Sequence, residues 1–194
     1  MKPLLHARKA SFLLSLPLFM SVLLSGCSSN PAEEKTPAAQ TPPAASPEAD
    51  KAAIAATLDS LNATAARADH GAYFALYSDD ATFIGTDATE NWDKPSFMAW
   101  AKPYFDRGKA WDFSVLERNI YLDPSGSWAW FDELLNTQMK LCRGSGVMVK
   151  QDSTWKIRQY VLSMTFPNQH IDEVVALKSG VEDSLIVQMK GTQQ

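Results

Sequence analysis

One carboxylate in this sequence is placed to do chemistry. The run Trp128 to Gln138 alternates, so that Ala129, Phe131, Glu133 and Leu135 share one face and Trp128, Trp130, Asp132 and Leu134 the other. The first face is apolar except at Glu133. A carboxylate among Phe and Leu neighbours has its charged form disfavoured unless it is paired. Two roles stay open for Glu133. It is a general acid or base tuned by burial, facing a small apolar substrate with Gln159 or Tyr77 as hydrogen-bond donors. Alternatively it is a structural acceptor that satisfies Arg143, a tryptophan N–H or backbone donors. Arg143, on the next predicted strand, is its expected partner. Glu90, three residues after Asp87, reads more naturally as a turn acceptor than as a catalyst.

Other chemistries find little support. Beyond His6 the histidines are His70 and His170, a hundred positions apart, with no nearby cysteine cluster. That spacing argues against a zinc site and against a histidine-based triad, and no cofactor or metal is expected. Tyr77, Phe83, Trp92 and Trp100 are open to two readings, as ligand-cavity lining or as core. With Phe131, Arg143, Trp155 and Gln159 they make up the expected pocket.

The elements that must position these residues follow from periodicity. Ile54, Leu58, Leu61 and Ala65 recur at helical spacing within Lys51 to Arg67. Asp69 can cap a second short helix whose inner face is Tyr73, Phe74 and Tyr77. Ser78-Asp79-Asp80 reads as a turn, and Ala81 to Gly85 as a strand. Asp93-Lys94-Pro95-Ser96 is a helix start, followed by a Phe97, Trp100, Ala101, Tyr104, Phe105 stripe that ends at Gly108. Within Trp111 to Leu122 the apolar phase changes parity, which a strand accommodates only by a bulge, expected near Leu116 to Arg118. Asp123-Pro124-Ser125-Gly126 is a tight turn. Strands over Trp128–Gln138, Arg143–Gln151 and Thr154–Thr165 follow. On the last, Trp155, Ile157, Gln159, Val161 and Ser163 form the inward face by simple alternation, leaving Lys156, Arg158, Tyr160 and Leu162 outside. After Pro167, Ile171, Val174 and Val175 suggest a short helix in a C-terminal helical extension over residues 169–194.

The N-terminal part reads as an address. Lys2, Arg8 and Lys9 precede an apolar run, Ala10 to Leu24, shorter than the roughly twenty residues that span a bilayer. It ends in Leu24-Ser25-Gly26-Cys27, which resembles the bacterial lipobox. The resemblance implies a signal peptide over residues 1–26, a lipidated Cys27 and, with Ser28 following, an outer-membrane lipoprotein facing the periplasm. Residues 27–50 are rich in Pro, Ala, Ser and Thr and read as a disordered tether. The domain proper is then expected over residues 51–168. Of the 18 Lys and Arg, three lie in the leader, leaving fifteen against 22 Asp and Glu. A net charge of about −7 argues against nucleic acid as a partner. A lipidated Cys27 leaves Cys142 without a disulfide partner.

Several motifs carry a family resemblance. Phe83-Ile84-Gly85-Thr86-Asp87 with Glu90 and Trp92, Ala129-Trp130-Phe131 with Glu133, Arg143-Gly144-Ser145-Gly146-Val147, Trp155-Lys156-Ile157 with Gln159-Tyr160, and Ser163, Pro167 and Asn168 recur in order. Together they resemble the SnoaL-like branch of the nuclear transport factor 2-like superfamily. The resemblance implies an α+β fold: a cone-shaped, curved, mostly antiparallel sheet wrapped around N-terminal helices, with a pocket at one end. Its members include isomerases, cyclases, dehydratases and proteins without known activity, so the fold leaves function open. Three readings remain. The domain binds a small apolar molecule, or it is a cofactor-free enzyme using Glu133, or it is an interaction module that forms a homodimer through an outer sheet face bearing Trp128, Trp130 and Tyr160.

Overall fold

The computed structural model describes residues 46–192. The leader, Cys27 and most of the expected tether lie outside that range. Ser46 caps helix α1 (Pro47–Ala66), its hydroxyl accepting from Ala49 N–H at 3.2 Å with Pro47 in the first turn. The helix thus begins ahead of the expected Lys51, inside the stretch read as tether. Ile54, Leu58, Leu61 and Ala65 form its buried stripe, as their spacing predicts. Ala68, at φ 55°, breaks the helix, and Asp69 caps α2 (His70–Ala75) by accepting from Ala72 N–H.

Strand β1 (Tyr77–Ile84) starts earlier than expected, and Ser78, Asp79 and Asp80 lie within it rather than in a turn. Asp79 pairs with Lys94 at 3.0 Å and Asp80 with Arg158 at 3.0 Å. A short β2 (Asn91–Asp93) returns alongside β1 and leads into α3 (Lys94–Asp106), capped by Asp93. Phe97, Ala101 and Phe105 are the buried face of α3. Trp100 is 38% exposed, so the stripe divides into a core edge and an open edge.

The remaining strands are β3 (Ser114–Leu122), β4 (Trp128–Thr137), β5 (Lys140–Gln151) and β6 (Thr154–Met164). The sheet order is β2-β1-β6-β5-β4-β3, antiparallel throughout except for the parallel β1–β6 pair. This is the expected α+β architecture, helices followed by a curved mixed sheet. Helix α1 packs on β3 and β6, α3 on β1 and β2, and α2 bridges α1 and α3. Two bulges set which side chains point at the helices. The first leaves Leu116 unpaired on β3, within the range the parity change indicated. The second leaves Arg158 unpaired on β6, between Val147↔Gln159 and Met148↔Ile157. That extra residue reverses the alternation. Trp155 and Ile157 point inward before it, Tyr160 and Leu162 after it.

Cys142 on β5 is fully buried, 3.5 Å from the Thr137 hydroxyl. A 3₁₀ turn (Asn168–His170) leads to α4 (Ile171–Gly191), longer than the short helix expected and without a buried residue. No helix among the described residues is long and apolar enough to cross a membrane.

Asp50 ties the start of α1 to the far end of the sheet. Its Oδ1 accepts from Lys150 Nζ at 2.7 Å and from the Trp155 indole N–H at 2.9 Å. Burial opposes its ionisation, but these two donors and the Lys150 charge outweigh burial and hold the carboxyl below its ordinary 3.8. A depressed folded value means that the contribution is complete above pH 3.8 and is lost as pH falls through the folded value. Asp50→Ala removes the partner of a largely buried cation and is expected to destabilise the domain by about 3 kcal/mol. Urea unfolding at pH 7 checks this, and the difference from wild type should shrink towards pH 3.

Candidate functional site

Glu133 is 1% exposed, and both of its oxygens are occupied. Oε2 accepts from Arg118 Nε at 2.8 Å, and Oε1 accepts from the Tyr160 hydroxyl at 2.8 Å. Arg118 extends further to helix α1, donating from Nη1 to Asp59 at 2.7 Å and to the Ala55 carbonyl at 3.2 Å. The expected Arg143 partnership is therefore corrected. Arg143 sits on the outer side of β5, opposite Leu134, and lies 3.6 Å from Asp132. Arg118 takes its place because the β3 bulge moves the inward phase from that of Val115 to that of Arg118, Ile120 and Leu122, which puts residue 118 opposite Glu133.

Tyr160 reaches Glu133 across β5 because Gly144 lies between them. A Cβ at residue 144 would collide with the Tyr160 hydroxyl and come within 3.0 Å of Glu133 Cγ. Burial, and then the neighbouring carboxylate, push the Tyr160 phenol well above its ordinary 10.0, so it stays protonated and donates. Tyr73 and Tyr77 share a hydroxyl–hydroxyl bond at 3.1 Å, and burial raises both. The three phenols therefore stay protonated near neutral pH, and both oxygens of Glu133 are held by donors.

The open space lies elsewhere. A cavity of about 220 Å³ runs between α1, the open edge of α3, the segment before β3 and the β4–β5 turn. At about 30 Å³ per water-sized group it has room for roughly seven non-hydrogen atoms. Phe83, Phe97, Trp100, Tyr104 and Trp111 supply much of its wall, and Glu90 is its one carboxylate. Tyr160 lines it on one side and carries Glu133 on the other.

Of the residues expected to form a pocket, Phe83 and Trp100 line this cavity. Trp92 stands one layer out, its ring 4.6 Å from that of Trp100. Tyr77 and Phe131 are in the core, and Trp155 is at the opposite end on Asp50. Gln159 is half-buried on the outer side of β6, displaced from the predicted inward face by the Arg158 bulge, and Tyr160 takes the inward position instead. Trp111, Ala110 and Met139 were not anticipated as lining residues. Their only signal is location, in short connections that the fold brings over the mouth of the sheet. Among the described residues no group of three or more His, Cys, Asp or Glu is placed to hold a metal ion.

Residues 54–167 match a family model described as a SnoaL-like domain. No curated protein matches the sequence. Among solved structures, the fold is similar to an NTF2-like protein of unknown function from Pseudomonas putida. That likeness has 14% identity and a TM-score of 0.54, and covers 64% of this chain and 92% of that one. It is also similar to a domain of unknown function with a cystatin-like fold from Nostoc punctiforme, at 16% identity and TM-score 0.55, covering 77% and 99% of the two chains.

The Glu133 network makes a definite demand. Glu133→Gln leaves the Arg118 guanidinium largely buried without its inner counter-ion and is expected to destabilise the domain by about 3 kcal/mol. Small-molecule binding in the cavity should change by less than about twofold, because Tyr160 screens residue 133 from it. Thermal unfolding and ligand titration of the same sample check both halves.

Proposed function

The chain belongs to the SnoaL-like domain family, and from that premise we propose that its domain is a non-catalytic binding cup for a small, largely apolar molecule. The observation that carries this reading is the separation of the cavity from the carboxylate network. The cavity is walled by aromatic rings, whereas Glu133 has both oxygens occupied and lies behind Tyr160. A general acid or base must come within hydrogen-bond reach of the proton it moves. Glu133 does not line the space where a substrate would sit, so the catalytic reading is the weaker one.

The proposal extends to where the cup is held. The Leu24-Ser25-Gly26-Cys27 box supports lipidation at Cys27, and Ser28 supports retention at the outer membrane facing the periplasm. Residues between Cys27 and Ser46 then act as the tether. The outer side of the sheet exposes Tyr121, Trp128 and Trp130, with the Tyr121 and Trp130 rings stacked at 5.7 Å. A patch of this kind supports a symmetric dimer through the sheet.

For the cup, the probe is 3,3-dimethyl-1-butanol, a neutral molecule of seven non-hydrogen atoms. It should shift the indole N–H resonances of Trp100 and Trp111 saturably, and Ala110→Trp, which fills the cavity, should abolish the shift. If neither this probe nor its positively charged analogue of the same shape shifts the two resonances, the binding reading falls. For the anchor, Cys27→Ala should move the chain from the membrane pellet to the soluble fraction and eliminate fatty-acid labelling. The released form should have the mass of a dimer by light scattering at micromolar concentration, and Trp130→Arg should reduce it to a monomer. An unaltered membrane fraction counts against lipidation, and a monomeric starting mass counts against the dimer.

A further inference from the structure

The cavity discriminates by charge as well as by size. Among the side chains that line it there is no Lys, Arg or His, and its only carboxylate is Glu90. Glu90 is fixed in place by its own turn. Its carbonyl accepts from Gly85 N–H at 2.9 Å, and its Oε2 accepts from Asp87 N–H at 3.2 Å. Gly85 is what admits the side chain here, because a Cβ at residue 85 would collide with the Glu90 carboxylate. Among the described residues no cation lies within ion-pair distance of Glu90. The turn therefore presents an anion without a counter-ion at the edge of an aromatic space.

Most of the lining rings form a near-parallel stack, with Phe83 11° and Trp100 26° from Phe97 and Tyr73 set across it. Phe97 and Trp111 lie within 16° of parallel, with centroids 6.3 Å apart. Tyr73 stands at 80° to Trp111 and 68° to Phe97. Tyr73 and Phe97 are buried in this packing, so the π surface open to a ligand is that of the lining rings at the cavity edge, Trp100 above all at 38% exposure, and such a face attracts a cation through the ring quadrupole. One lining ring already holds a cation of the chain itself: the Arg107 guanidinium carbon is 4.7 Å from the Tyr104 centroid.

Resting on the reading of this cavity as a ligand site, we propose that its ligand is a small organic cation of the alkylammonium class, held by the aromatic walls with Glu90 as counter-ion. An anion would be repelled by Glu90. A neutral ligand that covered the mouth would enclose the carboxylate without compensation, which disfavours it. A cation satisfies the carboxylate and the rings together, and roughly seven non-hydrogen atoms is the size of a trimethylammonium group with a short arm.

Choline and its neutral carbon isostere, 3,3-dimethyl-1-butanol, have the same shape and differ in charge, so the pair isolates the inference. Each is titrated into the wild-type protein, Glu90→Gln and Trp100→Leu, with the Trp111 indole resonance as readout. Choline should bind wild type about tenfold more tightly than the isostere. Glu90→Gln, which keeps an acceptor for Asp87 N–H, should erase that preference by weakening choline, with the isostere bound as tightly as by wild type or more so. Trp100→Leu should weaken choline more than the isostere. Equal or tighter binding of the isostere to wild type overturns the cation assignment and leaves the cup reading standing. A choline preference that survives Glu90→Gln also overturns it. If neither compound shifts Trp111, the cup reading fails and takes this proposal with it.

Discussion

The ion pair between Glu133 and Arg118 is the interaction on which the arrangement of this domain depends. A carboxylate that faces the inside of a sheet must be neutralised where it lies, because removing one member of a buried pair leaves the other uncompensated. Here the neutralising side chain comes from β3 and the second donor from β6, so one carboxylate on β4 draws on the strands to either side of it and β5. Arg118 also reaches two groups of α1, which carries the same network into the helical layer. The register of β3 to β6 and the seat of α1 are thereby coupled through one charged centre. Glu133, whose place on the strand first suggested catalysis, is the residue that holds the fold in register.

The cavity exists beside this centre because the aromatic residues have different neighbours. Tyr73, Phe74, Phe97 and Phe105 pack on one another at centroid distances of about 5–6 Å and close the helical side of the core. Trp100 and Tyr104, on the adjoining edge of α3, pack on each other at 4.9 Å and on Trp92 and Arg107. That open edge of the α3 stripe lines the cavity. The lining rings and Glu90 thus lie on one side of Tyr160 and the ion pair on the other.

Much of the architecture was legible in the sequence, and what was not has an identifiable cause. Helix α1 and the caps of α2 and α3 follow from local spacing and from Asp69 and Asp93, which act within four residues of themselves. The inward face of β4 was readable because no bulge interrupts it. On β6 either parity yields an apolar set, Trp155, Ile157 and Val161 or Tyr160 and Leu162, so alternation does not reveal that Arg158 is the extra residue. The β3 bulge was evident from its parity change, and carrying that parity forward to Arg118 would have identified the true partner of Glu133. Arg143 drew attention because it lies on the neighbouring strand in the chain, but it belongs to the outer face. The cavity left no local pattern at all. Its walls come from α1, α3 and connections distant in the chain, and only the tertiary fold brings Ala110, Trp111 and Met139 together.

Cys142 gains a particular kind of protection from this construction. It is a lone thiol among the described residues, fully buried on a strand paired along both edges. Oxidants and foreign thiols reach such a sulfur only when the sheet around it separates, and attack requires access as well as thiolate. Its chemical lifetime is therefore set by the rate at which β4, β5 and β6 part. The sheet serves its one enclosed sulfur as a kinetic shield, and durability against oxidation becomes a property of collective opening rather than of the cysteine itself.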